Sequence, residues 1–405
     1  VSKENLQVVS LNAIPGPTRP AWAEISASAL RHNYGVLTAQ ANSYQSQIIS
    51  VIKANAYGHG VDGCARVLAA AGAPWLAVTS VDEGVLVSAA LRHASLAAPR
   101  ILILGGLFGI EDARRAVRHD LTPVIFSMYQ LQWLADAADR EGAAPHFPFH
   151  LEIDTGMARH GTRWDDGAQL DAIAEFLSQQ NVVGAEALLT HFASADDPSS
   201  PQTSQQQQYF ATAIKRLYAL GIRPPLVHAG NSATLFDASN AEALMELANT
   251  YATQLLTRPG LALYGYGPPN HDLRPVLTWK TRITGLRRLQ AGDAVSYNAT
   301  FHAMRASTIA TIASGYADGY NRLLSNKGSV LIRGQRAPVV GRVTMDQTMV
   351  DVSAIENAAI GDEVVLLGTQ GDLTISATQI ATLTGTIAWE VLCDISARVH
   401  RLFVE

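Results

Sequence analysis

The chain has 405 residues, 48% of them hydrophobic and 16% charged, a length that suits two domains and a balance that suits a globular protein with a large core. Its formal net charge of -5 supplies no basic face, which argues against a nucleic-acid partner, and no apolar run reaches the ~18 residues needed to span a membrane. Cys64 and Cys393 are the only cysteines, too few for a disulfide framework or a typical zinc site, and no metal is expected. They read as small buried hydrophobes in a reduced, cytoplasmic compartment. A start at Val1 rather than methionine is compatible with a processed leader.

Residues 1–20 hold Pro15, Pro17 and Pro20 and read as a loose arm. Trp22 to Ile25 reads as a strand, and Ser26 as the cap of a helix opening over 26–34. From there to about residue 265, short apolar runs recur at 48–52, 75–79, 100–104, 121–126, 149–153, 184–189, 225–228 and 253–257, with helix-like segments between most of them. Alternating strand and helix implies parallel pairing through right-handed crossovers. The eight runs fit an α/β fold of the (β/α)8 TIM-like barrel kind. An open doubly wound sheet is the alternative, weakened because no Gly-x-Gly-x-x-Gly follows a first strand. After residue 270 the texture becomes β-rich, at 277–285, 308–313, 329–333 and 363–367, with Gly, Asn and Asp between the runs. This predicts a mostly antiparallel β domain with one helix near 376–382. The expected division is 30–268 for the barrel and 269–405 for the β domain, the latter joined by residues 1–29.

Chemistry collects at the carboxyl ends of the predicted barrel strands, where such barrels carry their sites. The first barrel run stops at Lys53, inside the string VIKANAYGHG. Desolvation there favours the neutral amine, which forms Schiff bases with aldehydes. Tyr57 and His59 follow it. Arg159 comes after the run 149–153, His191 after 184–189, Asn231 and Ser232 after 225–228, and Arg258, Gly260 and Leu261 after 253–257. Taken singly, Lys53 is a solvated loop cation, His191 a satisfied core histidine and Arg258 a surface cation. Their arrival at one barrel face from separate strands is what an active site needs. Asn231, Ser232, Gly260 and Leu261 suit a phosphate, through a hydroxyl and close backbone N–H groups.

The segments VIKANAYGHG, DTGMARHG, THFASAD, GNSA, RPGLALYG, VSYNATF, GYADGY and GRVTMDQ resemble those of alanine racemases, in the same order and across nearly the whole chain. The resemblance implies a pyridoxal 5'-phosphate barrel joined to a β domain. It further implies a homodimer with shared active sites that interconverts L-alanine and D-alanine, a peptidoglycan precursor. Carried over by motif, Lys53 holds the cofactor. Tyr57, Ser232 and the backbone of Gly260 and Leu261, with Asn231 beside them, bind its phosphate. His191 lies against the ring, Arg258 faces the pyridine nitrogen, and Arg159 faces the ring hydroxyl and the substrate. Tyr297 of the partner subunit is the second acid/base, and Met345 meets the substrate carboxylate through its backbone. Asp346 and Tyr316 line the same half-site. Racemisation needs a proton source on each face of Cα, which Lys53 and Tyr297 supply while the cofactor delocalises the charge. A phenol titrates near ~10, so Tyr297 requires a cationic setting, which His191 and Arg258 provide. A guanidinium does not readily give up a proton, so Arg258 leaves the pyridine nitrogen unprotonated and limits side reactions such as transamination.

The chain departs from the family pattern twice. Many alanine racemases carry a carbamylated lysine two residues before the DTGM aspartate, where this chain has Glu152. A glutamate beside Arg159 is expected to have a depressed pKa and to need no carbon dioxide. The family also places a tyrosine just before an arginine near the end of the chain, where this chain has Ala397 before Arg398. Losing that wall predicts a substrate range widened to serine. The alternatives are a decarboxylase on the same plan, disfavoured because those carry a carboxylate at the pyridine nitrogen, and a non-enzymatic cofactor-carrying barrel, which would lack the second domain.

Overall fold

The computed structural model describes residues 19–405 apart from Ser95 and Pro269. The loose arm expected over 1–20 falls almost wholly outside the described residues. Two compact units emerge. One comprises Leu30–Ala56 and Val61–Arg274; the other comprises the described residues up to Ala29, the four residues Tyr57–Gly60, and Pro275–Glu405. The two compact units meet at Arg274/Pro275, and a short piece of the VIKANAYGHG string groups with the β unit.

The first unit is a closed barrel. Its strands are β2 (Ser46–Val51), β3 (Trp75–Val78), β4 (Arg100–Ile103), β5 (Thr122–Ile125), β6 (Phe147–Asp154), β7 (Val183–Leu189), β8 (Leu226–Asn231) and β9 (Gln254–Arg258). All neighbours pair in parallel, and the ring closes where Leu255 pairs with Ser46 and thus β9 with β2. The eight apolar runs of the sequence are these strands. Parallel strands in a barrel are buried on both faces, so they read as continuous runs rather than alternations. Ile49, Leu76, Leu102 and Leu151 are fully buried, each stabilising the core by about 2 kcal/mol. Several outer helices open on polar caps: Ser80, Ser127, Asp166 and Asp237 accept N–H groups from Glu83, Gln130, Gln169 and Asn240.

The second unit is built on a long strand, β10 (Leu277–Leu289). It pairs antiparallel with β1 (Ala21–Ser26), β11 (Ser307–Ile312) and β15 (Glu363–Gln370). On its other side β1 pairs in parallel with β17 (His400–Val404). The short strands β12 (Ser329–Ile332), β13 (Gln335–Pro338), β14 (Thr348–Asp351) and β16 (Leu373–Ile375) complete the sheets. Among the described residues after Gln370 there are two helices rather than the one expected. Ala377–Thr384 is capped by Ser376, and Ala388–Cys393 follows after Gly385 stops the first in a left-handed conformation. The second is only six residues long and is preceded by Thr386 and Ile387, so no helical period announces it. Within this unit Arg401 donates to the carbonyls of Gly58 (2.9 Å) and Val399 (2.7 Å), fastening the Tyr57–Gly60 segment to the sheet. Among the described residues no helix is long and apolar enough to cross a membrane.

Gly58 is required twice over. Its φ is +81°, and a Cβ there would sit 2.1 Å from the carbonyl oxygen of Leu392. Gly58→Ala is expected to cost about 3 kcal/mol through backbone displacement and left-handed strain, measured as a fall in the midpoint of denaturant unfolding. An unchanged midpoint would show that the segment yields without cost.

Candidate active site

The mouth of the barrel is formed by the carboxyl ends of its strands, and each sequence-predicted residue of this unit is found there. Lys53 follows β2 by one residue and is half-buried. The backbone beyond it makes one left-handed turn: Ala54, Asn55, Ala56 and Tyr57 all have φ between 51° and 55°. A left-handed turn of L-residues costs roughly 1–2 kcal/mol per residue, so it persists only where neighbours hold it. Ala56 N–H bonds the carbonyl of Ile52 (2.9 Å). Asn55 Oδ1 accepts from Val61 N–H (2.8 Å). The carboxylate of Glu83 accepts from Ala54 N–H (2.9 Å) and Thr79 N–H (2.7 Å), tying the turn to the end of the neighbouring strand. Below it, the fully buried Tyr264 donates its hydroxyl to the carbonyl of Val51 (3.2 Å).

Arg159 is presented by the loop after β6. Asp154 Oδ1 accepts N–H groups from Gly156, Met157 and Ala158 at 2.9–3.1 Å. Gly161 closes the loop with φ +109°, where a Cβ would lie 2.5 Å from Asp154 N. Arg159 itself is exposed and makes no ion pair among the described residues. Glu152 is buried and likewise has no ion pair to Arg159 among them. Its carboxyl is raised rather than depressed: burial is the largest influence, and the opposing charges of Arg258 and then Arg159 do not overcome it. The expected depressed pKa is therefore wrong, because burial outweighs the pull of both arginines.

Arg258, at the end of β9, is buried. Its NH2 group donates to the carbonyls of Thr190 (2.8 Å) and Ala229 (3.2 Å) and lies 3.1 Å from His191 Nδ1, while NH1 lies 2.5 Å from His228 Nδ1. Guanidinium groups only donate, so both imidazoles accept on Nδ1 and His191 carries its proton on Nε2. Burial, then the charges of Arg258, Arg159 and Lys53, hold the His191 imidazolium down to about 3, so the ring is neutral at physiological pH. Burial lowers Arg258 to about 10, partly offset by Glu152, which leaves it cationic.

A donor cluster lies between β8 and β9. Ser232 Oγ accepts from Gly260 N–H (3.0 Å) and Ala262 N–H (3.4 Å), at the amino end of the turn Leu261–Tyr264. Asn231 is spent differently: its Oδ1 accepts from the backbone and hydroxyl of Thr234, capping the helix Ser232–Phe236.

The β unit assembles a second set. Tyr297 is 69% exposed, held between Ser296 and Asn298, whose φ values are 67° and 62°. Tyr316 N–H and Ala317 N–H bond the carbonyls of Thr344 and Met345 (both 3.0 Å), which brings Tyr316, Met345 and Asp346 together. The buried Asp318 carboxylate supports this pair of loops by accepting from Arg19 and from Gly315 N–H (2.9 Å). Arg398 bridges to Asp346 (2.6 Å) and Asp318 (3.4 Å). Ala397, beside it, is exposed. Tyr57 is half-buried, and burial followed by the neighbouring Cys393 pushes its phenol up to about 12, so it remains a proton donor.

Sequence reasoning missed Glu83, His228 and Glu186. Ser80-Val-Asp-Glu83 has the spacing of a capping box, so Glu83 reads as an ordinary helix start. Its carboxylate instead serves the Lys53 turn.

Fold and site together define a barrel enzyme with a lysine at its mouth and a β-rich companion unit. Residues 25–268 match the model of the alanine racemase N-terminal domain, and residues 276–403 that of the C-terminal domain. The chain is 40% identical to an alanine racemase of Sorangium cellulosum over 397 residues, 96% of this chain and 100% of that one. A solved alanine racemase of Clostridium difficile superposes with a TM-score of 0.84 at 32% identity, covering 96% of each chain. That of Bartonella henselae, described with covalently bound pyridoxal phosphate, gives 0.79 at 28%, covering 95% of this chain and 99% of that one. The chain belongs to the alanine racemase family, and its activity is that of an isomerase.

Glu83→Ala removes two charge-assisted bonds to backbone N–H groups. It is expected to cost about 1.5–3 kcal/mol and to slow turnover by loosening the turn that aims Lys53. Thermal unfolding and steady-state kinetics read the two effects; full turnover in a destabilised variant would detach Glu83 from the site.

Proposed function

We propose that the chain racemises alanine on pyridoxal 5'-phosphate as a homodimer, with Lys53 and Tyr297 of the partner subunit as the two proton carriers. The reading is supported most by Lys53, which stands at the carboxyl end of a barrel strand and whose charge is felt at His191 beside Arg258. The donor set fits the cofactor. Ser232 Oγ and the N–H groups of Gly260 and Ala262 converge as a phosphate would require, with Leu261 between them. The protonated Tyr57 phenol adds a donor. Among the described residues the bonds of Arg258 are made by NH1 and NH2, so its Nε–H would be the donor toward the pyridine nitrogen.

When bound, the cofactor supplies an electron sink for the charge left at Cα. Lys53 anchors it and then carries the proton on one face. On the other face, Tyr297 of the partner subunit carries it, aided by His191. Arg258 fixes the His191 tautomer, which leaves its Nε2–H to donate to the phenolic oxygen. Arg159 would serve the ring hydroxyl and the substrate, and the backbone at Met345, with Asp346 and Tyr316 around it, would meet the substrate carboxylate. Glu152 supplies a permanent carboxyl where relatives use a carbamate. Ala397 opens the pocket to serine. A sequence with only two cysteines suits a reducing, cytoplasmic compartment.

Borohydride treatment of the holoenzyme is expected to fix the cofactor on a single peptide containing Lys53; label on another lysine would sink the assignment. Mixing Lys53→Ala with Tyr297→Phe under subunit exchange is expected to restore one good site per heterodimer. If exchange is demonstrated and no activity returns, the sites are not shared. Ala397→Tyr is expected to lower kcat/KM for serine more than for alanine. A methyl-sized change in such a pocket alters discrimination by about 1–3 kcal/mol, and an unchanged ratio would remove this position from substrate selection.

A further inference from the structure

Barrel interiors of this kind are normally filled by layers of branched aliphatic side chains. Here a line of polar groups runs through the layers instead. Arg258 NH1 lies 2.5 Å from His228 Nδ1. His228 Nε2 lies 2.9 Å from His150 Nδ1. His150 Nε2 faces Glu186 Oε2 at 3.4 Å, the longest link. Both imidazoles are fully buried. Glu186 is in turn held by Arg100 through bonds of 2.5 and 2.8 Å. Arg258 ends its strand at the mouth, whereas Arg100 opens β4 at the opposite end of the barrel.

The direction of every link is forced. A guanidinium has no acceptor, so His228 must accept on Nδ1. Burial and the Arg258 charge keep His228 neutral, so its single proton sits on Nε2 and points at His150 Nδ1. His150 must then accept there and carry its own proton on Nε2, facing Glu186. Burial would raise the Glu186 carboxyl, but bonds from His150 and Arg100 outweigh it and hold it down to about 2. Glu186 is therefore an acceptor only. A donor-only group at one end and an acceptor-only group at the other leave one arrangement of protons.

We propose that Glu186, acting through His150 and His228, is a positioning residue for Arg258. Arg258 demands an acceptor at one end of the line, and Glu186 accepts the Nε2–H which that demand leaves on His150 at the other, so that the line holds its geometry and the Nε–H of Arg258 is aimed at the ring. The inference rests on the reading that sets Arg258 against the pyridine nitrogen. Without an acceptor at position 186, the buried Nε2–H of His150 has no partner. Moving that proton to Nδ1 brings it against the Nε2–H of His228, and the shift passes upward until a donor faces Arg258 NH1. Arg258 must then give way. A glutamine keeps an acceptor oxygen and halts this at the first link.

The test compares the unmodified full chain with Glu186→Gln and Glu186→Leu. Imidazole 15N resonances are recorded with and without bound pyridoxal phosphate, together with the visible spectrum of the holoenzyme and its kcat and KM. In the unmodified chain and in Glu186→Gln, both buried histidines are expected as Nε2–H tautomers, with kcat close to the parent value. In Glu186→Leu the single arrangement is expected to be lost, with Nδ1–H forms appearing at both rings, a shifted visible band and kcat lower by about 10- to 100-fold at little change in KM. An Nδ1–H or doubly protonated ring at either position in the unmodified chain overturns the proposal, whether or not the leucine variant folds. So does a leucine variant with unaltered tautomers whose loss of activity merely follows its loss of stability. Tautomers that move in the cofactor-free protein while the visible band of the holoenzyme stays fixed uphold the relay and overturn the placing of Arg258 at the ring.

Discussion

A guanidinium kept dry at the top of a barrel core is costly unless acceptors surround it, and much of this site follows from meeting that demand at Arg258. Its acceptors are the carbonyls of Thr190 and Ala229 and the Nδ1 atoms of His191 and His228, contributed by β8 and by the segment that follows β7. One side chain therefore laces the mouth together and settles the protonation of both imidazoles. The charge remains on the arginine, and His191 can pass on its influence without itself being charged.

Around this fixed centre the chain is less relaxed. The turn after Lys53 holds four consecutive residues in a left-handed conformation, and the loop bearing Arg159 holds Ala158 in the same region. In each case a carboxylate gathers the backbone N–H groups that strain would otherwise strand: Glu83 for the first, Asp154 for the second. Strain of this kind persists when the surroundings over-determine it. Both carboxylates come from rigid elements, a helix and a strand end.

The barrel was legible because strands buried on both faces write themselves as apolar runs, and the proposed site residues were chosen because they come after those runs. What escaped was whatever depends on a partner distant in sequence. Glu83 looks like a helix cap, and its role exists only once β2 and β3 are neighbours. The acidity of Glu152 was misjudged because Arg159 is near in sequence, whereas burial decides the matter and Arg258 exerts the larger pull. The cap that Asn231 Oδ1 provides for Thr234 is likewise hidden until the turn is folded. The helix Ala388–Cys393 is too short to show a period.

The pairing of β1 carries a consequence for how the chain is made. Trp22 is paired on one side with Lys280 and on the other with His400. The barrel is encoded between this strand and both of its partners. At typical synthesis rates of ~5–20 residues per second, β1 waits roughly 10–50 s before its antiparallel neighbour exists, and longer for the parallel one. The barrel strands can pair in that interval, but this sheet cannot. Meanwhile β1 exposes two unpaired edges, a template for misassembly, and Glu24 places a charge in the middle of it. That charge meets its counterpart only when Lys280 arrives to bridge Glu24 (2.9 Å) and Glu363 (3.2 Å).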